Sequence, residues 1–116
     1  MVKSYKIDSI VVIELEGSII GSPEFVEINQ NLTQYIEEGY LKFVIDLSKV
    51  NIINSSGLGI LIAGLTTIKK NHGSLKVAGT NNQIQQLFKV TKLDTVFELN
   101  DTLEIALKKI SEPSKS

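Results

Sequence analysis

Apolar positions along this chain switch between two periods, and the switches mark its elements. Tyr5 and Ile7 alternate with polar residues ahead of a run rich in Ile and Val that reaches Leu15. This predicts one or two strands, turning at Asp8-Ser9. Glu16-Gly17-Ser18 breaks the run. Ser22-Pro23-Glu24 then has the makings of a helix start: a serine to cap, a proline for the first helical position and an acid to complement the dipole. Phe25, Ile28, Leu32, Tyr35 and Ile36 recur at helical spacing until Gly39 ends the helix.

Leu41 to Leu47 is a near-continuous apolar strand, interrupted by Lys42 and closed by Asp46. A strand apolar on both faces is usually central and covered on both sides. After a short loop, a second helix is predicted from near Ser55 to about Asn71, with Leu58, Leu61, Ile62, Leu65 and Ile68 as its apolar stripe and Gly73 as its stop. Leu75 to Ala78 reads as a short strand, and Asn81 and Asn82 can cap a third helix facing inward through Ile84, Leu87 and Phe88. Val96 to Leu99 reads as a last strand. Asp101 or Thr102 then caps a final helix that buries Leu103, Ala106, Leu107 and Ile110.

The order ββαβαβαβα predicts one α/β domain over residues 1–110, a small mixed sheet of four to five strands with about four helices. Strand-helix-strand units imply parallel neighbours and right-handed crossovers, and the opening pair adds an antiparallel element. The remaining residues 111–116, SEPSKS, are polar and are expected to be a disordered tail.

Composition narrows the chemistry. With 116 residues and a net charge of -1, the chain is an ordinary globular domain whose basic residues are all lysine. Those lysines are spread from Lys3 to Lys115 in nothing longer than pairs, Lys69-Lys70 and Lys108-Lys109, which read as solvated faces. Nucleic acid is therefore not expected as a partner, since phosphate-backbone binding needs a clustered basic surface. Without cysteine there is no thiol nucleophile, disulfide or thiolate metal site, and a single His72 leaves little for zinc. No signal-peptide core and no run of ~20 apolar residues is present, so the expectation is a cytoplasmic protein with no membrane span.

The stretch from Phe43 to Gly59, FVIDLSKVNIINSSGLG, concentrates the candidate chemistry. Asn54 stands where an N-cap belongs, which places Ser55 and Ser56 in the first turn, where free amides can hold a phosphate. The simplest reading is that Asn54 and one serine satisfy those amides, worth ~1 kcal/mol, and do nothing else. Yet two hydroxyls and two glycines exceed a cap's needs, because Gly57 and Gly59 each cost up to ~1 kcal/mol inside a helix. Close approach of another backbone would explain them. A serine hydrolase is excluded on geometry: Gly-x-Ser-x-Gly is absent, and His72 lies over ~20 Å away at the far end of the same helix. Gly57-Leu58-Gly59 lacks the third glycine of a dinucleotide loop and the Gly-Lys-Ser/Thr of a P-loop. On the outer side of this helix, Ser56, Ile60, Ala63 and Thr67 are small or apolar, which fits either a neighbouring helix packed over them or a docking surface contiguous with the serines.

The run Asp46-Leu47-Ser48, Val50 and Asn54-Ser55-Ser56-Gly57-Leu58-Gly59 resembles the signature of the STAS domain, shared by sulphate transporters and anti-sigma factor antagonists. The likeness extends over almost the whole chain, including Leu15-Glu16-Gly17 and the Gly73 break. It implies an anti-sigma factor antagonist, not an enzyme, that uses no cofactor or metal. It further implies Ser55 as phosphoacceptor and an anti-sigma factor that is also a serine kinase as protein partner. A PP2C-type phosphatase would reset the system. The partner surface implied is Asn54, Ser56, Gly57, Leu58 and Ile60 with Ser18, Ile20 and Ser22. Two departures from the family pattern stand out: Asn54 replaces a common acid before the serine pair, and Ile19-Ile20 occupies another commonly acidic place. A STAS scaffold or ligand-sensing module that is never phosphorylated is the alternative.

Overall fold

The computed structural model describes residues 2–20 and 22–111, with backbone only for 22–25. Five strands and four helices follow in the predicted order: β1 (Val2–Ile7), β2 (Ile10–Ile19), α1 (Ser22–Glu37), β3 (Lys42–Ile53), α2 (Ser55–Lys70), β4 (Ser74–Ala78), α3 (Asn82–Val90), β5 (Glu98–Asn100) and α4 (Leu103–Ser111), with a 3₁₀ turn at Leu93–Thr95. The expected Ser22 cap and the inward Phe25 concern side chains outside the described residues, as does the tail beyond Ser111.

The sheet order is simply β1-β2-β3-β4-β5, with β1 antiparallel to β2 and every later pair parallel. The β1–β2 turn lies at Asp8-Ser9, where Asp8 adopts φ 55°. When parallel strands are laid down in one direction, right-handed crossovers put every connecting helix on the same face. Accordingly, Ile28 and Leu32 of α1, Leu58, Leu61, Leu65 and Ile68 of α2, and Ile84 and Phe88 of α3 share one core with Val11, Ile13, Leu15, Phe43, Ile45, Leu47 and Val77. Only α4, after the last strand, is left to cover the opposite face, where Ala106 and Ile110 pack on Ile10, Val44 and Ala78. This explains why β3 reads as apolar on both sides: Phe43, Val44 and Ile45 are all fully buried.

Several element bounds differ from expectation. Glu16-Gly17-Ser18 does not end β2, and the segment after Asp46 is no loop, because β3 runs to Ile53 alongside it. The pairing slips twice, from Glu14↔Asp46 to Glu16↔Lys49 and from Gly17↔Val50 to Ser18↔Ile52, so β3 carries one extra residue at each slip. Such bulges erase the period of two by which a strand is recognised. Gly17 takes φ 86° there, a conformation easy only for glycine. The last strand is shorter and later than predicted because Leu93–Thr95 coil into the 3₁₀ turn and leave Val96 exposed.

The stop of α2 also differs. His72, not Gly73, takes the left-handed conformation at φ 66°. The amides of His72 and Gly73 donate to Lys69 O (3.0 Å) and Ile68 O (2.8 Å), the paired bonds of a Schellman motif. Gly73 is needed for another reason: a Cβ there would lie 2.7 Å from Leu41 O.

Candidate functional site

The slipped pairing carries β2 and β3 past the edge of the β4 pairing and ends them together at Ile19↔Ile53. Asn54 follows in extended conformation (φ -100°, ψ -175°), and α2 starts at Ser55. The Gly57 amide donates to Asn54 Oδ1 at 2.8 Å, and the Leu58 amide donates to Asn54 O at 2.9 Å. Asn54 alone therefore caps the helix.

That settles one reading of the serines. Ser55 and Ser56 are both exposed, and among the described residues neither hydroxyl has a hydrogen-bond partner. They are not the caps. Their own amides are first-turn donors without a carbonyl beneath them, so two N–H groups and two hydroxyls crown the positive end of the helix dipole. An oxyanion attached to Ser55 would be held there electrostatically.

Beneath this crown the packing is tight. The Gly57 position is crossed by the end of β2: a Cβ on Gly57 would lie 2.0 Å from Ile19 O and 2.9 Å from Ile53 Cγ2. The close backbone that the sequence called for is thus the chain's own. Leu58 is buried in the core, and Ile60 is only 6% exposed, packed with Ala63 and Gly64 against Ile28, Asn29 and Leu32. A neighbouring helix, α1, therefore covers the Ile60 side of α2, and Gly57, Leu58 and Ile60 support the surface from below instead of forming it. Ser18 is exposed and Ile20 is 53% exposed, while the Ser22 side chain lies outside the described residues.

Sequence reasoning missed residues that do reach the surface here. Ile52 is 47% exposed at the second bulge of β3, beside a small groove lined by Ile53, Gln83, Ile84 and Leu87. Gly59 is exposed, and a Cβ there would meet nothing within 4 Å. Ile62, assigned to the core stripe, is 40% exposed and points outward instead. Gly59 was detectable, since a mid-helix glycine with no internal reason invites an external one; Ile52 was hidden by the bulges.

The opposite side of the bulged strands has another character. Glu14 and Asp46 are partners in register, Lys49 Nζ lies 2.9 Å from Glu14 Oε1, and the Ser48 amide donates to Asp46 Oδ1 at 3.0 Å. The hydrogen bond that the Lys49 ammonium donates to the Glu14 carboxylate holds that ammonium above its ordinary pKa. Burial, reinforced by the Asp46 and Glu14 charges, raises the Tyr5 phenol. This cluster ties β1, β2 and β3 together. Among the described residues no group of three or more His, Asp or Glu side chains could hold a metal ion, and no helix is long and apolar enough to cross a membrane.

Comparison with known proteins agrees with this geometry. The family model described as STAS domain matches residues 1–106. An anti-sigma-B factor antagonist of Staphylococcus aureus is 27% identical over 79 residues, covering 68% of this chain and 73% of the relative. The crystal structure of an anti-sigma factor antagonist from Mycobacterium paratuberculosis superposes with a TM-score of 0.82 at 26% identity, over 97% of this chain and 94% of the other. The Bacillus cell fate determinant SpoIIAA in its phosphorylated form shares the fold, with a TM-score of 0.74 at 16% identity over 95% and 99% of the two chains.

Proposed function

The chain belongs to the STAS domain family, and on that premise we propose that it is an anti-sigma factor antagonist switched by phosphorylation of Ser55. Unmodified, it binds an anti-sigma factor that is also an ATP-dependent serine kinase, in the cytoplasm, and so frees a sigma factor. Transfer of a phosphoryl group to Ser55 breaks that complex, and a PP2C-type phosphatase restores it. The chain itself catalyses nothing; it is the substrate of both enzymes.

The observation that carries this reading is the Ser55 hydroxyl, exposed and unpartnered at a helix start that Asn54 already caps. A phosphate adds about -1.5 to -2 charges. At the N-terminus of α2 that charge is stabilised by ~0.3–1 kcal/mol, so the fold tolerates the modification. A docked partner does not, because the new charge would be buried against a surface fitted to a neutral hydroxyl. The exposed Ile20 and Ile52 beside Ser18, Asn54 and Ser56 supply the apolar part of the docking surface.

The test is a pair of variants measured against the kinase partner. Ser55→Asp folds with an unchanged melting temperature and loses partner binding, whereas Ser55→Ala binds and is never released by ATP. Mass mapping after incubation with the partner and ATP places one phosphate on Ser55. A chain that binds but gains no phosphate would instead be a non-phosphorylated STAS scaffold or ligand-sensing module.

A further inference from the structure

At the other end of α2 from Ser55, an open groove of about 650 Å³ runs between the last turns of the helix and the 3₁₀ turn. Its lining is Leu65, Thr66, Lys69 and Lys70 from α2 and Thr95 and Val96 from the turn. Leu65 forms an apolar floor, and Val96 is 53% exposed on the facing wall. That wall is held in place. Lys92 adopts φ 62°, the Thr95 hydroxyl donates to Lys92 O at 2.7 Å, and Phe97 is buried edge-on against Phe88 with centroids 5.5 Å apart.

The ammonium groups have no internal employment. Lysines in a final helical turn often serve its unsatisfied carbonyls. Here those carbonyls are already occupied: Thr67 O accepts from Asn71 Nδ2, Ile68 O from the amides of Asn71 and Gly73, and Lys69 O from the amide of His72. Among the described residues neither Lys69 nor Lys70 has an ion pair, unlike Lys6, Lys49 and Lys76, and no acid lines the groove. Both threonine hydroxyls spend their protons on backbone carbonyls, Ile62 O and Lys92 O. The groove therefore offers cationic donors on one rim and a preformed apolar floor and wall, with no acid among its lining residues; the nearest in sequence is Asp94, next to Thr95 in the turn.

We propose that this groove binds a free single-chain organic anion, its carboxylate or phosphate head on Lys69 and Lys70 and its apolar body over Leu65 and Val96. The volume is in the range that holds small ligands. The site is separate from the Ser55 surface and does not depend on the function proposed for it.

The probe is millimolar octanoate added to the isotope-labelled full chain, followed by amide chemical shifts, with octyl phosphate, octanol and acetate as companions. Octanoate and octyl phosphate give saturable shifts confined to Leu65, Thr66, Lys69, Thr95 and Val96 and their neighbours. Octanol, which lacks the charge, and acetate, which lacks the body, do not saturate. The exposed pair Lys69→Gln/Lys70→Gln, which leaves the melting temperature unchanged, weakens octanoate by about tenfold. Equal shifts with octanol, unchanged affinity in the lysine variant, or binding to anionic phospholipid vesicles without binding to octanoate would each overturn the proposal.

Discussion

A methyl group added at Gly57 would stand 2.0 Å from the carbonyl oxygen of Ile19, which is backbone and has no rotamer by which to retreat. Added at Gly59, the same group would meet open space. The two glycines are thus kept by different forces although they share one helix. Gly57→Ala must push the end of β2 off α2 and is expected to lose about 3 kcal/mol or more in denaturant unfolding. Gly59→Ala relieves the helix of its glycine and is expected to gain up to ~1 kcal/mol. If Gly59 is retained so that a partner can lie flat over Ser55 and Ser56, the more stable variant is also the weaker binder, at least tenfold by titration calorimetry. A gain in stability with unchanged affinity would remove Gly59 from the docking surface.

The ends of α2 show the same economy at the scale of an element. Its start is closed by Asn54 and its finish by a Schellman motif whose left-handed position is filled by His72 at φ 66°. A residue with a Cβ is disfavoured in that conformation, whereas glycine is not. His72→Gly is expected to raise stability by about 0.5–1 kcal/mol, seen as a higher denaturant midpoint at constant slope. Both the existence of α2 and its Asn54 cap were legible in the sequence, as were the turn at Asp8-Ser9, the Asn81 cap and the inward face of α4. What escaped was wherever tertiary contact outvoted local pattern. The bulges that slip β3 past β2 mimic a loop, and Ile60 and Ile62 exchange roles because α1, packed over one flank, decides which face of α2 is inside. The phosphoacceptor assignment came from the likeness of Asn54-Ser55-Ser56-Gly57-Leu58-Gly59 to a family signature. Geometry added that Ser55 is not needed as a cap.

Two regions of the described residues differ in charge. Tyr5, Glu14, Asp46 and Lys49 are linked across β1, β2 and β3, and the raised Tyr5 and Lys49 groups both hold their protons more tightly folded than unfolded. Their contribution is fully present below about pH 10 and is lost as pH rises through the raised folded values. The melting temperature should therefore fall as pH rises above about 10, and less steeply in a Tyr5→Phe/Lys49→Met variant. The surface around Ser55 is the reverse. Three segments around it, residues 17–20, 50–60 and 83–87, contain no Asp, Glu or Lys. A partner that fits such a surface gains its affinity from apolar contact and neutral hydrogen bonds, which salt does not screen. It follows that a phosphate on Ser55 would be the only formal charge on those segments. Between about 50 and about 500 mM NaCl, the unmodified chain should bind its anti-sigma partner with an affinity that changes less than about twofold. A tenfold loss over that range would place charged side chains in the contact, and the docking surface would then have to lie outside the three neutral segments.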